Sequence, residues 1–312
     1  MTRDRAATEA TLAHPRARTV LPPNPAAAGP PEAAMAGKAA AENFPVALRM
    51  LPRRHRDHLM AVYSYARTVD DVGDEGAPER RQALLADLAE DVKRLYEQPG
   101  RDGCTAIPPR HPAVRGLASV VTDCAIPMQP FLDLIGANQQ DQLVTRYETF
   151  DDLLGYCRLS ANPVGRIVLH VFGGSTPDRE QLSDSICSGL QIVEHLQDVG
   201  EDFQAGRVYL PAEDLRSHGC TEQDLAGETA PPQLRRLIKF EAVRAGSLIS
   251  LGAPLVGQLR GAARAAVAGY LAGGRAALAA IAAADYDVLA ATAKPAKSRT
   301  IRELASAMLR GR

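Results

Sequence analysis

The sequence predicts an all-α protein built around one helical domain, and three observations support this fold class. From Glu42 onward, apolar residues recur at intervals of three and four, which is the spacing of one helix face. Runs of alternating β-branched residues, which are typical of strands, are nearly absent. Helix-start signals are present: Thr176 precedes Pro177, and Thr149 with Asp152 resembles a capping box. We therefore expect long helices after Thr149 and after Thr176.

The elements follow in a simple order along the chain. Residues 1–41 are rich in Ala, Pro and Arg and lack hydrophobic periodicity, which predicts a disordered leader. Residues 42–292 are expected to form the helical domain. Pro- and Gly-rich breaks interrupt its helices at 97–112 and 226–232. Residues 293–312 form a basic tail that we expect to end in a short amphipathic helix.

Charge and composition exclude several classes of protein. The 36 Lys and Arg against 37 Asp and Glu leave a net charge of −1, so no overall field favours nucleic acid or an anionic membrane. The five cysteines form no C-x-x-C pair, which argues against a zinc site or a disulfide framework. No secretory signal is found, and the segment "AAVAGYLAGG" is interpreted as too short and too Ala/Gly-rich to span a membrane. We expect a cytoplasmic protein with at most transient membrane contact.

Two pairs of aspartates are the main chemical signal. Asp70 and Asp74 follow the apolar run "LMAVYSYA", and their spacing places both carboxylates on one helix face. Asp198 and Asp202 repeat that spacing after a second apolar stretch. If the two helices face each other, the converging carboxylates repel unless cations lie between them. Hard oxygen ligands suit Mg²⁺, which commonly joins carboxylates to a substrate's phosphates.

Basic and small residues near the two aspartate pairs predict that the ligand is a diphosphate ester with an apolar chain. Arg67 lies one turn before Asp70 and Arg207 closely follows Asp202, so each guanidinium could bind phosphate oxygens or pair with a neighbouring acid. The helix "YCRLSANPVGRIVLHVFGG" carries Ser160, Ala161 and Gly165, which leave room for a guest or for tight helix packing. The nearby aromatic residues could line a cavity or fill the core: Phe44, Tyr63, Tyr65 and Phe131.

Three segments resemble a known family. They are, in order, "NFPVALRMLPRRHRDHLMAVYSYARTVDDVGDE", "RYETFDDLLGYCRLSANPVGRIVL" and "QDVGEDFQAGRVYLP". Over residues 42–290 the chain resembles the squalene/phytoene synthase family, since both aspartate-rich motifs, the Y-C-x-x-x-A-x-x-V-G-like helix and the G-R-x-Y-L-P ending occur in the family's order. The resemblance implies an all-helical isoprenoid synthase fold with a central apolar cavity.

The resemblance also implies roles for individual residues. Those expected to bind Mg²⁺ and to act in catalysis are Asp70, Asp74, Asp198 and Asp202. Those expected to bind the diphosphate are Arg67 and Arg207. Those expected to line the prenyl pocket are Tyr156, Ala161 and Gly165, and Phe44 and Tyr63 are further candidates for substrate binding.

Departures from the family pattern indicate one branch of it. Many relatives read N-x-x-R-D before the second motif, where this chain has Glu194 and Gln197 in place of Asn and Arg. The opening "ENFPVALRMLPRRHR" is similar to the bacterial hydroxysqualene synthases, which act on presqualene diphosphate. Such enzymes work beside a separate condensing synthase and a separate flavin-dependent reductase. Consistent with that, no Gly-rich dinucleotide fingerprint follows a predicted strand.

The implied reaction begins when Mg²⁺ and Arg residues stabilise charge on the departing diphosphate. The resulting cyclopropylcarbinyl cation rearranges in a pocket that otherwise excludes water, and one water then gives hydroxysqualene. The rings of Tyr63, Tyr65 or Tyr156 could stabilise the cation by about 0.5–2 kcal/mol each.

Other classes of function stay open at the level of sequence. A di-iron helical bundle needs Glu-x-x-His pairs, whereas Glu194 and His195 are adjacent and point to different faces. A non-catalytic helical scaffold or lipid-binding partner is a second alternative, which metal-dependent diphosphate release would exclude. Within the enzyme class, the alternative is condensation of two prenyl diphosphates to presqualene diphosphate, squalene or phytoene.

Overall fold

The computed structural model of the protein describes residues 51–97, 107–290 and 297–310. Across these ranges the chain is helical and contains no strand, and an isolated parallel bridge joins Arg146 to Val208. The predicted all-α fold is confirmed. The predicted leader at 1–41 and the candidate residue Phe44 lie outside the described residues.

The helices in chain order are α1 (Arg53–Asp74), α2 (Pro78–Tyr96), α3 (Pro112–Arg115), α4 (Ala118–Cys124), α5 (Gln129–Asp141), α6 (Phe150–Ser160), α7 (Asn162–Val171), α8 (Pro177–Gln197), α9 (Val199–Gln204), α10 (Ala212–Ser217), α11 (Pro232–Gly252), α12 (Leu255–Gln258), α13 (Gly261–Ala283) and α14 (Lys297–Arg310). A 3-10 turn at Glu222–Leu225 lies between α10 and α11. Helix α2 ends at Tyr96, directly before the first predicted break, and α11 begins at Pro232, the last residue of the second.

Local capping explains where two of the central helices begin. The Thr149 hydroxyl accepts the N–H of Asp152, and the Asp152 carboxylate accepts the N–H of Thr149, which completes a capping box at the start of α6. At the start of α8 the Thr176 hydroxyl accepts the N–H of Arg179, and Pro177 occupies the first helical position. Both predicted helix starts are confirmed.

The core consists of two clusters of buried apolar side chains. One joins α1, α2, α5 and α7, and the other surrounds α8, α11 and α13. In the first cluster the fully buried Tyr65 hydroxyl donates to the Phe131 carbonyl at 2.8 Å, and the two rings meet edge to face at 5.3 Å. Tyr65 and Phe131 are therefore core residues that hold α1 against α5.

Helices α8 and α11 pack so closely that only glycine fits at their contact. A Cβ atom on Gly189 would lie 2.9 Å from the Ala245 carbonyl oxygen and 2.7 Å from Cγ1 of Ile249. A Cβ on Gly252 would lie 2.3 Å from the Leu182 carbonyl oxygen. This close contact fixes the position of α8, whose carboxyl end carries the second aspartate pair.

Helix α13 is longer than the apolar segment that was identified in the sequence. Among the described residues, α13 is the one helix whose length and composition would allow it to cross a membrane. The segment 265–274 was expected to be too short, but Ala-rich sequence extends the helix on both sides. Half of its most apolar window is buried inside the protein, and core helices pass the same test. The helix predicted in the tail is present as α14, which packs on α13 through an Arg264 side chain that donates to the Met308 carbonyl at 2.7 Å.

Candidate active site

The first aspartate pair lies on the last turns of α1 and is held by α5. The Asn138 amide donates to Oδ1 of Asp70 at 3.1 Å, and the Gln142 amide donates to the Gly73 carbonyl at 2.9 Å. A Cβ on Gly73 would lie 2.2 Å from Oδ1 of Asn138, so glycine lets α5 approach this close. Partial burial raises the pKa of Asp70, which the Asn138 hydrogen bond and the charge of Arg67 oppose.

The second pair lies where α8 ends and α9 begins. Asp198 is the junction residue, and the Asp202 N–H donates to its carbonyl at 2.8 Å, which preserves the helical spacing of the pair. Burial raises the pKa of Asp198, and the neighbouring carboxylates of Asp202 and Glu201 raise it further. The buried Oδ2 atom of Asp202 has no hydrogen-bond partner in the described structure. This side of the site therefore carries negative charge that a cation would stabilise.

The two predicted arginines occupy different positions. Nη2 of Arg207 lies 2.9 Å from Oδ1 of Asp74, so this arginine bridges the chain after α9 to the end of α1. Nη2 of Arg67 lies 2.7 Å from Oδ1 of Asp71, one turn further along α1. Arg207 lines the cavity described below, whereas Arg67 is not among its lining residues.

A wall of aromatic and acidic side chains connects the pairs. The Tyr156 hydroxyl donates to Oδ2 of Asp141 at 2.8 Å, and the Tyr209 hydroxyl lies 3.5 Å from Oδ1 of the same carboxylate. Burial raises the pKa of Asp141, which the Tyr156 hydrogen bond opposes. The His195 ring stacks on Tyr209 with centroids 3.7 Å apart and 13° between the planes. The rings of Tyr156, His195 and Tyr209 pack against one another.

These side chains surround an acidic cavity of about 310 Å³. It is lined by both aspartate pairs, by Arg207 and by the wall formed by Asp141, Tyr156, His195 and Tyr209. Each lining group is carried by a packed helix or by the short connection after α9, so the carboxylates are held in place before any ligand arrives.

An apolar cavity of about 290 Å³ adjoins the acidic one between α7, α8 and α13. Ala161 and Gly165 line it, and a Cβ on Gly165 would lie 2.4 Å from Oγ of Ser183. Three side chains line both cavities: Ser160, Gln191 and Glu194. The two cavities are therefore neighbours that share a border.

The structure brings together most of the candidate residues. The acidic cavity is lined by Asp70, Asp74, Asp198, Asp202, Arg207 and Tyr156. Tyr156 was expected beside the prenyl chain, and its hydroxyl instead binds Asp141 at the acidic end. Tyr63 is half-buried on α1 and is not among the residues that line either cavity.

Several lining residues were not identified from the sequence. Asn138 and Asp141 lie in "ANQQDQ", where no motif distinguishes them from a solvated helix face. Tyr209 belongs to the G-R-x-Y-L-P ending and could have been found from that motif. His195 was considered only as an iron ligand, because its contacts with Tyr209 and Gln191 depend on tertiary packing.

The donor set suits a hard divalent cation that is shared with a phosphate. Within the described residues, no group of three or more His, Cys, Asp or Glu side chains is arranged to hold a metal ion by itself. Mg²⁺ is commonly bound by one or two carboxylates together with substrate phosphates, which does not require such a group. The unpartnered Oδ2 of Asp202 and the carboxylates of Asp70 and Asp198 are oxygen donors that fit this mode.

An all-helical bundle in which paired aspartates adjoin an apolar cavity has the architecture of an isoprenoid synthase. The chain belongs to the squalene/phytoene synthase family, because the sequence model described as "Squalene/phytoene synthase" matches residues 38–301.

The relatives that this chain is similar to include hydroxysqualene synthases and phytoene synthases. The hydroxysqualene synthase of Rhodopseudomonas palustris is 38% identical over 222 residues, which cover 70% of this chain and 72% of the relative. The phytoene synthase of Mycobacterium bovis is 31% identical over 226 residues, with 71% of each chain covered. The crystal structure of squalene synthase HpnC from Alicyclobacillus acidocaldarius has a TM-score of 0.72 at 37% identity and covers 81% of this chain and 94% of that chain.

Proposed function

We propose that the protein is an Mg²⁺-dependent hydroxysqualene synthase, which converts presqualene diphosphate and water to hydroxysqualene and diphosphate. The observation that carries this proposal is the shared border of the acidic and apolar cavities. A prenyl diphosphate has a highly charged head and an apolar chain, and the two cavities match these two parts. The relatives named hydroxysqualene synthase support this reaction over others in the family.

The acidic cavity would hold the head of the substrate. Asp70, Asp198 and Asp202 would hold Mg²⁺, which when bound neutralises charge on the diphosphate. Arg207 is already in the cavity, where its planar guanidinium can bind phosphate oxygens while it remains paired with Asp74. Arg67 is paired with Asp71 and does not line the acidic cavity, so we assign it a secondary role.

The apolar cavity would hold the hydrocarbon and the cation formed from it. Its side chains supply little hydration, so the carbocation can rearrange before water reaches it. The Tyr156 and Tyr209 rings lie near the head of the substrate, where an aromatic face stabilises a cation by about 0.5–2 kcal/mol. Water then captures the rearranged cation, and no hydride donor is required.

The proposed reaction also defines the partners of the protein. A separate condensing synthase would supply presqualene diphosphate, and a separate flavin-dependent reductase would consume the alcohol. The protein would work in the cytoplasm and contact a membrane transiently, because both its substrate and its product are apolar over most of their length.

Condensation of two prenyl diphosphates is the second candidate function. The identity to a phytoene synthase favours it, because that relative aligns over a comparable share of the chain. Gln197 argues against it: the family motif has an arginine there, and two diphosphates need more positive charge than one.

Product analysis distinguishes the two candidates. Purified protein is incubated with Mg²⁺ and presqualene diphosphate, and separately with farnesyl diphosphate, without NADPH and in water enriched in oxygen-18. We expect hydroxysqualene that carries the label from the first substrate only, and no diphosphate release after chelation of the metal. Turnover of farnesyl diphosphate with accumulation of presqualene diphosphate would favour the condensing synthase. Binding without release of diphosphate from either substrate would favour a non-catalytic scaffold.

A further inference from the structure

The border between the two cavities is polar. Ser160, Gln191 and Glu194 line both the acidic cavity and the apolar cavity, and all three carry hydrogen-bonding side chains. Deeper in the apolar cavity the lining is mostly aliphatic, as at Val168 and Leu190, with Ser183, Cys187 and Tyr270 as the further side chains that carry a polar atom. A water molecule that meets a cation in the apolar cavity is therefore best held at this border.

The His195 ring, which lines the acidic cavity beside the border, has neighbours on three sides. It stacks on Tyr209 at 3.7 Å, its Nδ1 lies 3.7 Å from Oδ2 of Asp202, and its Nε2 lies 3.2 Å from Nε2 of Gln191. A side-chain amide nitrogen can only donate a hydrogen bond, so Nε2 of His195 is the acceptor in its contact with Gln191. The Gln191 amide nitrogen is then the donor in their contact.

The contact with His195 determines the orientation of the Gln191 amide group. Its nitrogen faces His195, so its carbonyl oxygen is directed to a different side of the planar amide group. We propose that the Gln191 carbonyl, oriented by His195, accepts a hydrogen bond from the water that captures the carbocation. Gln191 would thus favour the alcohol over a hydrocarbon as the product. This inference rests on the proposed function.

The step balances without an oxidant or a reductant. The bond between carbon and the diphosphate oxygen breaks, and the diphosphate leaves with the electron pair. After rearrangement the water oxygen forms a bond to the cationic carbon, and the proton lost from that water passes to the released diphosphate. When no water is held at the border, the same diphosphate removes a proton from carbon instead, which gives a hydrocarbon.

The ratio of alcohol to hydrocarbon therefore tests the role of Gln191. Gln191→Leu keeps a similar volume and removes the carbonyl, and we expect the ratio to fall about tenfold, the effect of losing one well-placed hydrogen bond. His195→Phe retains the stack on Tyr209 but cannot fix the amide, so the ratio should fall in the same direction. Mass spectrometry gives both products per diphosphate released, from Mg²⁺ and presqualene diphosphate.

Gln181→Leu is the matched control, because it makes the same change on the same helix at an exposed position outside both cavities. Its product ratio should equal that of the unchanged protein. An unchanged ratio in Gln191→Leu or in His195→Phe overturns the inference and leaves the proposed function standing. If Gln191→Leu does not fold, His195→Phe alone decides. Failure of the unchanged protein to release diphosphate overturns both.

Discussion

At the residue scale, Asp70 and Asp198 reach the acidic cavity from different helices, and burial raises the pKa of both carboxyls. Asp70→Asn or Asp198→Asn keeps the shape of the side chain and removes a charged metal ligand. We expect turnover to fall by about 100-fold or more, which is the usual effect of losing one group that stabilises developing charge.

Steady-state diphosphate release at saturating Mg²⁺ measures this effect, and thermal unfolding shows whether the fold is intact. Asp87→Asn on the exposed face of α2 is the control and should retain full turnover. Near-normal rates in both active-site variants would mean that the aspartates do not bind the metal.

Glu241 is a buried carboxyl away from both cavities. It is 1% exposed on α11, its Oε1 lies 3.2 Å from Nη1 of Arg244, and its Oε2 has no hydrogen-bond partner in the described structure. Burial raises the pKa of Glu241 from its usual value near 4.5 to about 8, although the charge of Arg244 opposes the shift. The folded protein therefore holds a proton between these two pH values that the unfolded chain has released.

The contribution of Glu241 to the free energy of unfolding therefore decreases as pH rises from about 4.5 to about 8, because at this group the folded state binds more protons in that range. Glu241→Gln removes this titration, so the difference in stability between pH 5 and pH 8 should shrink. Urea unfolding at the two pH values measures it. Glu228→Gln, at an exposed loop position, should leave the difference as it is in the unchanged protein.

At the scale of the helices, the contact between α8 and α11 depends on glycine. A Cβ on Gly189 would overlap the backbone of α11, so Gly189→Ala forces the helices apart and should lower the free energy of unfolding by about 1–3 kcal/mol. Gly273 in α13 has no heavy atom within 4 Å of an added Cβ. Gly273→Ala should therefore stabilise the protein by about 0.5–1 kcal/mol through helix propensity.

Chemical denaturation of the two variants gives the comparison. Because α8 carries His195 and ends at Asp198, Gly189→Ala should also reduce diphosphate release, whereas Gly273→Ala should not. Equal stability of the two variants would show that the α8–α11 contact can relax by a small shift.

At the scale of the whole molecule, α1 and the α8–α9 junction come from different core clusters, and a ligand between them should stabilise both. We expect Mg²⁺ and inorganic diphosphate together to raise the unfolding temperature more than either alone. At a hundredfold excess over Kd, the gain in free energy is about 2.7 kcal/mol. Differential scanning fluorimetry measures the shift, which Asp70→Asn should abolish. A shift with diphosphate alone would mean that Arg207 binds it without metal.

Local sequence determined the helical fold and the starts of two central helices, but not the division of the segment 156–174 between α6 and α7. Thr149 and Thr176 cap helices because a short polar side chain before a helical turn satisfies the free N–H groups whatever lies around it. The aspartate pairs were identified for a similar reason, since i,i+4 spacing on a helix places two side chains on one face. Arg207 was identified because it closely follows Asp202, and Ala161 and Gly165 were identified as small residues in an apolar segment. The family resemblance then implied their roles, and the structure places all three at a cavity.

Tertiary structure alone decided which of these residues share a cavity. Asn138 and Asp141 carry no motif, and they join the acidic site because Gly73 and Tyr65 allow α5 to pack closely on α1. Tyr156 could have faced either cavity, and the position of Asp141 on the neighbouring helix turned its hydroxyl to the acidic end. Sequence spacing specifies faces within one helix, but contacts between helices depend on packing between residues far apart in the chain.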